Sequence, residues 1–156
     1  MMAREGIKVV ARNRKALHDY HIEDRYEAGL VLKGTEIKSI REGRVTIRDG
    51  FVRPRDGELW LLDVHIGHYK PAGQYYGHDP MRPRKLLLHR YQIDRLISEV
   101  ERSGYTIIPL QMILRNGRAK VEIALAKGKA QHDKRRSIRE RDAQREVERA
   151  MRDRRR

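Results

Sequence analysis

Apolar and polar residues alternate along most of the chain between residues 20 and 126, which is the pattern of strands that bury one face. Asp56-Gly57 and Asn116-Gly117 each separate two such runs. Both dipeptides favour tight hairpin turns, because the two central positions of these turns need positive φ. The first run, residues 18–34, is predicted to be one long strand. In total the pattern predicts five or six short strands that pair mainly antiparallel.

Two segments replace the alternation with helical features. Apolar residues recur at i, i+3, i+4 and i+7 over residues 93–100, which predicts an amphipathic helix that Gly104 ends. A shorter helix is predicted to begin at a Thr35 cap and to end at Gly43. Residues 67–84 are rich in glycine and proline, so we expect a long loop there.

The predicted elements favour a mainly β fold. A small closed barrel with two or three flanking helices satisfies the antiparallel pattern, because a closed sheet leaves no exposed edge. We expect residues 17–126 to form this barrel and residues 1–16 to form a mobile basic arm. Residues 127–156 have too few apolar residues to add to a core, and we expect a basic tail that is disordered when free.

Charge narrows the range of partners. The chain has 36 Lys and Arg against 22 Asp and Glu, a formal net charge of +14. Residues 127–156 hold thirteen of the basic residues and six of the acidic ones, so one fifth of the chain carries half of the net charge. Nucleic acid is the commonest partner of so basic a protein, and an anionic membrane surface is the alternative.

Other features of the composition exclude several classes of protein. No stretch approaches the length of a membrane-spanning helix, and the first residues lack the apolar run of a signal peptide. The chain has no cysteine, so it has no disulfides and no thiolate metal site. We therefore expect a cytoplasmic protein with no membrane partner.

The sequence contains no convincing set of catalytic or metal-binding residues. Histidines and carboxylates cluster over residues 18–24, but His18 and His21 would point to opposite faces of a strand. No serine, threonine or lysine comes with a positioned base, and no glycine-rich phosphate loop is present. We predict no enzyme activity, no metal and no cofactor.

Basic and aromatic residues favour RNA as the partner. Arg82, Arg84, Lys85 and Arg90 surround an apolar run, and several tyrosines lie nearby in the sequence. Guanidinium groups and aromatic rings hold phosphates and unpaired bases. Glu27 interrupts this neighbourhood, and it is interpreted either as a structural ion pair or as an acceptor for a base edge.

Several phrases resemble the SsrA-binding protein family, also called small protein B. They are "NRKALHDY", "YEAGLVLKGTEIKSIREGR", "HDPMRPRKLLLH", "KVEIALAKGKAQHDKR" and "IRERDAQREVERA", and they extend over nearly the whole chain. The resemblance implies an oligonucleotide-binding β-barrel. It also implies a factor that binds the tRNA-like domain of transfer-messenger RNA and delivers it to stalled bacterial ribosomes for trans-translation.

The resemblance also implies roles for individual residues. By resemblance, the RNA-binding positions are Asn13, Arg14, Lys15, Tyr20, Glu27, Leu87 and Lys120. The basic pattern described above adds Arg82, Arg84 and Lys85 to this set. The tail would become helical in the mRNA channel. The tail residues that would bind the ribosome, at the decoding centre and small-subunit rRNA, are Lys127, Lys129, His132, Asp133, Lys134, Arg135 and Met151. We expect the protein to be a monomer. Leu17 stands where the family usually has a basic residue, and Gly77 replaces the usual polar residue before "HDP".

Two other interpretations remain at this point. A structural ribosomal protein would also be small and basic with an extension, and it would be a permanent ribosomal component. A metal-dependent nuclease would need a set of carboxylates and histidines that the sequence does not provide.

Overall fold

The computed structural model describes residues 6–69, 77–128 and 145–149, and the fold is mainly β with helices around a seven-stranded sheet. The strands are β1 (Ile7–Arg12), β2 (Tyr20–Leu30), β3 (Val45–Thr46), β4 (Phe51–Arg55), β5 (Glu58–Leu62), β6 (His65–Ile66), β7 (Arg84–Leu87), β8 (Thr106–Arg115) and β9 (Arg118–Gly128). The helices are α1 (Arg14–Asp19), α2 (Gly34–Arg41) and α3 (Arg90–Ser103). Residues 145–149 are also helical.

The strands of the large sheet follow the order β1-β8-β4-β5-β7-β2-β9. Strand β9 also pairs with β8, so the pairing returns from the last strand to the second. Each pairing between the described strands is antiparallel, including that of the short strands β3 and β6. The prediction of mainly antiparallel strands is confirmed.

Local turn chemistry agrees with the sequence at three places. Asp56 and Gly57 have φ of 53° and 74° between β4 and β5, and Asn116 and Gly117 have φ of 51° and 81° between β8 and β9. Gly104 ends α3 in the left-handed conformation with φ 68°. The hairpin and helix-end predictions are therefore confirmed, because each depends on a positive φ that glycine and asparagine tolerate.

The main core lies on the inner side of the sheet. Val121, Ile123 and Leu125 of β9 point into it, as their alternation predicts. Leu96 of α3 and Ile40 of α2 are also fully buried there, so both helices pack against the strands. Burying one such side chain stabilises a fold by about 1.5–3 kcal/mol.

A second, smaller cluster lies on the outer side of the sheet, near the end of β9. Helix α1 covers it with Ala16, which packs against residues of β8 and β9: Ile108, Leu110, Ala124 and Ala126. Tyr20 and Ile22 pack at its edge. Helix α1 therefore covers only one end of the outer side and leaves the rest of that side open.

The prediction of a mobile arm over residues 1–16 is wrong for residues 6–16, the part of this range that the structure describes. Ile7–Arg12 form β1, which pairs antiparallel with β8, and the backbone N–H of Asn13 donates to the carbonyl of Leu110 at 2.8 Å. The local pattern does not predict this strand, because its hydrogen-bonding partners lie on a distant strand. The remaining division into barrel and tail stays a prediction, although β9 extends two residues past the expected boundary at residue 126.

Two other expectations of local structure are corrected. The helix α2 begins after Lys33, whose backbone N–H donates to Glu36 Oε1 at 2.7 Å, and Thr35 does not cap it. The hydroxyl of Thr35 instead contacts His78 Nδ1 at 2.8 Å. The predicted long strand begins at Tyr20, because His18 lies in α1.

Part of the prediction for the tail falls outside the described residues. This holds for Lys129, His132, Asp133, Lys134, Arg135 and Met151. Lys127 is described and exposed, and its ammonium lies 5.3 Å from the centre of the Tyr105 ring. No helix in the described part of the chain is both long and apolar enough to span a membrane.

Candidate RNA-binding surface

Three residues that are far apart in the sequence meet on the outer side of the sheet. Gly29 of β2 lies opposite Leu87 of β7 on one side and opposite Lys120 of β9 on the other. Ala28 is fully buried, so its neighbours Glu27 and Gly29 point outward. Because paired strands lie about 4.8 Å apart, the three residues form a row across the sheet. We call this the Leu87–Lys120 row.

The absence of a side chain at Gly29 gives the row its shape. A Cβ atom at this position would lie 3.3 Å from Leu87 Cβ and 3.6 Å from Lys120 Nζ. The glycine therefore leaves a depression between an apolar side chain and an ammonium group. Leu87 is 51% exposed, which is unusual for a large apolar side chain in the centre of a sheet.

A groove of about 420 Å³ extends from this row to α2. Its basic residues come from the start and end of α2 and from β9: Lys33, Arg41, Arg118 and Lys120. Within the described residues, no aspartate or glutamate lines the groove. Four cations beside an exposed leucine suit a ligand that has phosphates and also an apolar base or sugar face.

Glu27 lies next to this groove in an ion pair. Its Oε1 accepts hydrogen bonds from Arg115 Nη2 at 2.9 Å and from Arg115 Nε at 3.1 Å. The ion-pair interpretation of Glu27 is therefore confirmed. The side chain of Glu27 is still 38% exposed, so the carboxylate remains accessible to a donor from a base edge.

A second groove, of about 290 Å³, lies between α1 and the same outer side of the sheet. Arg12, Arg14 and Arg25 line it around Leu17, which is 59% exposed. Glu122 lies at its base, where it accepts hydrogen bonds from Arg25 at 3.4 Å and from Gln111 at 3.1 Å. The apolar Leu17 lies inside this basic groove, where it adds contact area without charge.

Five of the basic residues around these grooves were missed in the sequence: Arg12, Arg25, Lys33, Arg41 and Arg118. Each lies in an ordinary charged stretch, and nothing in the sequence distinguishes it from a solvated residue. The only usable signal is position, because Arg118 and Lys120 are two residues apart in β9 and share its outer face.

The predicted RNA-binding role of Asn13 is corrected to a structural role. It is 6% exposed, its Nδ2 donates to the carbonyl of Pro109 at 2.9 Å, and its Oδ1 accepts from the backbone N–H of Ala16 at 3.2 Å. Both ends of its amide are therefore used inside the protein. Asn13 caps α1 and so positions the exposed Arg14.

Replacing Asn13 with alanine should destabilise the protein by about 2 kcal/mol, because the helix loses its cap and the Pro109 carbonyl loses its donor. Urea unfolding followed by circular dichroism measures this loss. Lys15→Ala is the matched control, since Lys15 lies in the same helix and its side chain is 52% exposed. An Asn13→Ala protein of normal stability with weakened RNA binding would restore the original interpretation.

The predicted RNA-binding role of Arg84 is also corrected to a structural role, because its side chain is used inside the protein. It is fully buried, and its Nε donates to Glu36 Oε2 at 2.6 Å while its Nη1 donates to the carbonyl of Val64 at 2.6 Å. Its Nη2 donates to the carbonyl of Pro80 at 3.0 Å. Arg82 is 26% exposed and also donates to Glu36. These two arginines hold the loop before β7 against α2.

The buried carboxylate of Glu36 is the centre of this network. Burial alone would raise its pKa, but hydrogen bonds from Arg82, the Lys33 backbone and Arg84 outweigh burial and lower the pKa below its ordinary value of 4.5. His78 extends the network, because its Nε2 donates to the carbonyl of Ile66 at 2.8 Å and its Nδ1 lies 2.8 Å from the Thr35 hydroxyl.

The remaining predicted residues occupy different places. Lys85 lies on the outer side of β7, opposite Trp60 of β5. Lys15 and Tyr20 line a separate groove beside α1, with Arg48 and Asp49. Arg90 binds Asp94 at 2.9 Å and Glu58 at 3.2 Å, so it serves a structural contact. Among the described residues, no three His, Asp or Glu side chains are grouped closely enough to hold a metal ion.

Comparisons with known proteins identify the family of the chain. The model of the SmpB protein family matches residues 10–153. The SsrA-binding protein of Roseiflexus sp. (strain RS-1) is 58% identical over 147 residues, which is 94% of this chain and 93% of that protein. The SsrA-binding protein of Thermobifida fusca (strain YX) is 57% identical over 151 residues, with 97% and 94% covered.

A solved structure is similar as well. It is described as "tmRNA-SmpB: a journey to the center of the bacterial ribosome", and it has 45% sequence identity and a TM-score of 0.65. The similarity covers 82% of this chain and 93% of the solved chain. The resemblance seen in the sequence is therefore confirmed, and the chain belongs to the SmpB protein family.

Proposed function

We propose that this protein binds the tRNA-like domain of transfer-messenger RNA and delivers it to stalled bacterial ribosomes. The observation that carries the proposal is the Leu87–Lys120 row, with its basic groove, in a chain that belongs to the SmpB family. The relatives are SsrA-binding proteins, and the similar structure concerns transfer-messenger RNA with SmpB on the ribosome.

The geometry supports a division of roles within the surface. Lys33, Arg41 and Lys120 bind phosphates, because they line one groove whose described lining includes no aspartate or glutamate. Leu87 packs against the apolar face of a base or sugar. Glu27 supplies the acceptor for a base N–H group, while Arg115 holds its carboxylate in position.

Two features of the fold suit this role. The pairing that returns from β9 to β8 supports a closed barrel of the oligonucleotide-binding type, which would hold the outer side of the sheet rigid. Binding to RNA and to a ribosome needs no catalytic step, so the protein acts as a binding factor. Its proposed partners place it in the cytoplasm.

The basic tail would make the ribosomal contacts. It holds half of the net charge of the chain, and Lys127 at its start is exposed. We assign the tail to small-subunit rRNA at the decoding centre and in the mRNA channel. The proposed contacts are those of Lys127, Lys129, His132, Asp133, Lys134, Arg135 and Met151.

The direct test is the Lys120→Ala variant of the full-length protein. Its affinity for the tRNA-like domain should fall by about 1–3 kcal/mol. The slope of log K against log salt should fall by about 1, because one phosphate contact is lost. Gel shifts over a range of salt concentrations measure both.

Arg102→Ala is the charge-matched control for this test. Arg102 lies at the end of α3, its side chain is 75% exposed, and its contact is Glu99 at 3.3 Å. This variant should bind the RNA nearly as the wild type does. Equal weakening by both variants would mean that overall charge, and not this surface, determines the binding.

A further inference from the structure

An aromatic pair at the start of α3 has no role in the core or in the grooves described above. The rings of His89 and Tyr91 are stacked, with centroids 5.6 Å apart and an angle of 11° between their planes. Tyr91 is 71% exposed, so most of its ring faces solvent. An exposed tyrosine on a second ring is a surface on which another planar group can stack.

The position of this pair is fixed by its neighbours. The backbone N–H of His89 donates to Gln92 Oε1 at 3.1 Å. Arg90 binds Glu58 at 3.2 Å and also donates to the carbonyl of Gly57, which joins the start of α3 to the hairpin between β4 and β5. The backbone that carries the aromatic pair is therefore fixed at the start of α3, so the chain itself needs no rearrangement for binding.

The pair also continues the candidate surface. Arg84 and Leu86 point inward and are fully buried, while Lys85 and Leu87 lie on the outer side. Leu88 then packs against the core and His89 is exposed, so the alternation continues for two more residues. Leu87 and His89 are thus two residues apart on one side, or about 7 Å. The aromatic pair therefore lies next to Leu87, beyond it along the chain and on the opposite side of the row from α2.

We propose that the exposed face of Tyr91 stacks an unpaired base of the RNA that occupies the Leu87–Lys120 groove. The proposal rests on the proposed function, and it adds a stacking site that reads no particular base. Every base offers a planar face, and aromatic side chains stack bases with little sequence preference. The basic groove that starts at Leu87 selects a polyanion over a protein partner, since no acidic residue lines it among those described.

Three full-length variants test this proposal: Tyr91→Ala, Tyr91→Phe and Met81→Ala. The probe is a transcript of the tRNA-like domain of transfer-messenger RNA, titrated in gel shifts at several salt concentrations. Tyr91→Ala should weaken binding by about 5- to 150-fold, and Tyr91→Phe should bind as the wild type does, because a ring is retained. The salt slope of Tyr91→Ala should match the wild type, since stacking releases no counterions. Met81, 45% exposed, is the control for losing an exposed apolar side chain.

The outcomes separate this inference from the proposed function. If Tyr91→Ala binds normally while Lys120→Ala is weakened, the stacking site is wrong and the proposed function stands. If neither variant is weakened, the proposed function fails as well. Tyr91→Phe losing as much affinity as Tyr91→Ala would assign the effect to the hydroxyl group and overturn stacking.

Discussion

Replacing Glu36 with glutamine will destabilise the protein by about 3–5 kcal/mol, because it leaves the fully buried Arg84 without its counter-charge. The same carboxylate holds Arg82 and the backbone N–H of Lys33, so α2 and the loop before β7 loosen together. Urea unfolding at pH 7 measures the loss. Glu58→Gln is the control, since Glu58 is a half-exposed carboxylate bound to Arg90.

The effect of Glu36 should depend on pH in one direction. The pKa of Glu36 is lowered in the folded protein, so its contribution to folding stability is fully present above the ordinary pKa of 4.5. This contribution is lost as the pH falls through the lower pKa of the folded state. The difference in the free energy of unfolding between the wild type and Glu36→Gln should therefore be constant from pH 7 to pH 5 and should shrink below about pH 4.5.

A double variant checks the cause. Glu36→Met with Arg84→Met should be more stable than either single change, because no charge is then left buried alone. If the double variant loses the sum of the two single losses, the residues do not act as a pair and the explanation fails.

Removing residues 129–156 should abolish peptide tagging while leaving binding to the tRNA-like domain within about tenfold of the wild type at moderate salt. The removed part has twelve Lys and Arg and six Asp and Glu, so some electrostatic weakening is expected from reduced counterion release. Gel shifts and a peptide-tagging assay with stalled ribosomes provide the two measurements.

The structure decides where this truncation must end. Tyr20 lies opposite Gly128 and His21 opposite Lys127, so a chain ending at Ala126 would lose the last pairing between β2 and β9. A chain ending at Gly128 keeps every described strand complete. Parallel loss of RNA binding and tagging in this shorter protein would show that the two activities are not divided between sheet and tail.

Several elements were predictable because their causes are local. Asn116-Gly117, Asp56-Gly57 and Gly104 each adopt a positive φ that other residues resist, so the dipeptide or glycine itself is sufficient evidence. The spacing of Ile93 and Leu96 also predicts the buried side of α3, since helical geometry repeats every 3.6 residues. The motifs shared with the SmpB family added the candidate site residues.

Other features were not predictable because their causes lie elsewhere in the chain. Arg84 and Arg82 appear in the sequence as ordinary exposed cations, and only the approach of Glu36 and the carbonyl groups around them makes burial possible. Asn13 likewise appears polar and exposed, although it meets the carbonyl of Pro109. Ion pairs and hydrogen bonds between distant residues leave no periodic trace.

The sequence by itself determined most of the longer strands, the two hairpins, the amphipathic helix, the excess of positive charge and the family. The tertiary structure alone decided which residues share a surface. Leu87, Gly29 and Lys120 form one row because β7, β2 and β9 pair in a particular register, and a shift of one residue would turn each side chain to the other face. Register depends on the packing of the whole core, so no local stretch of sequence contains it.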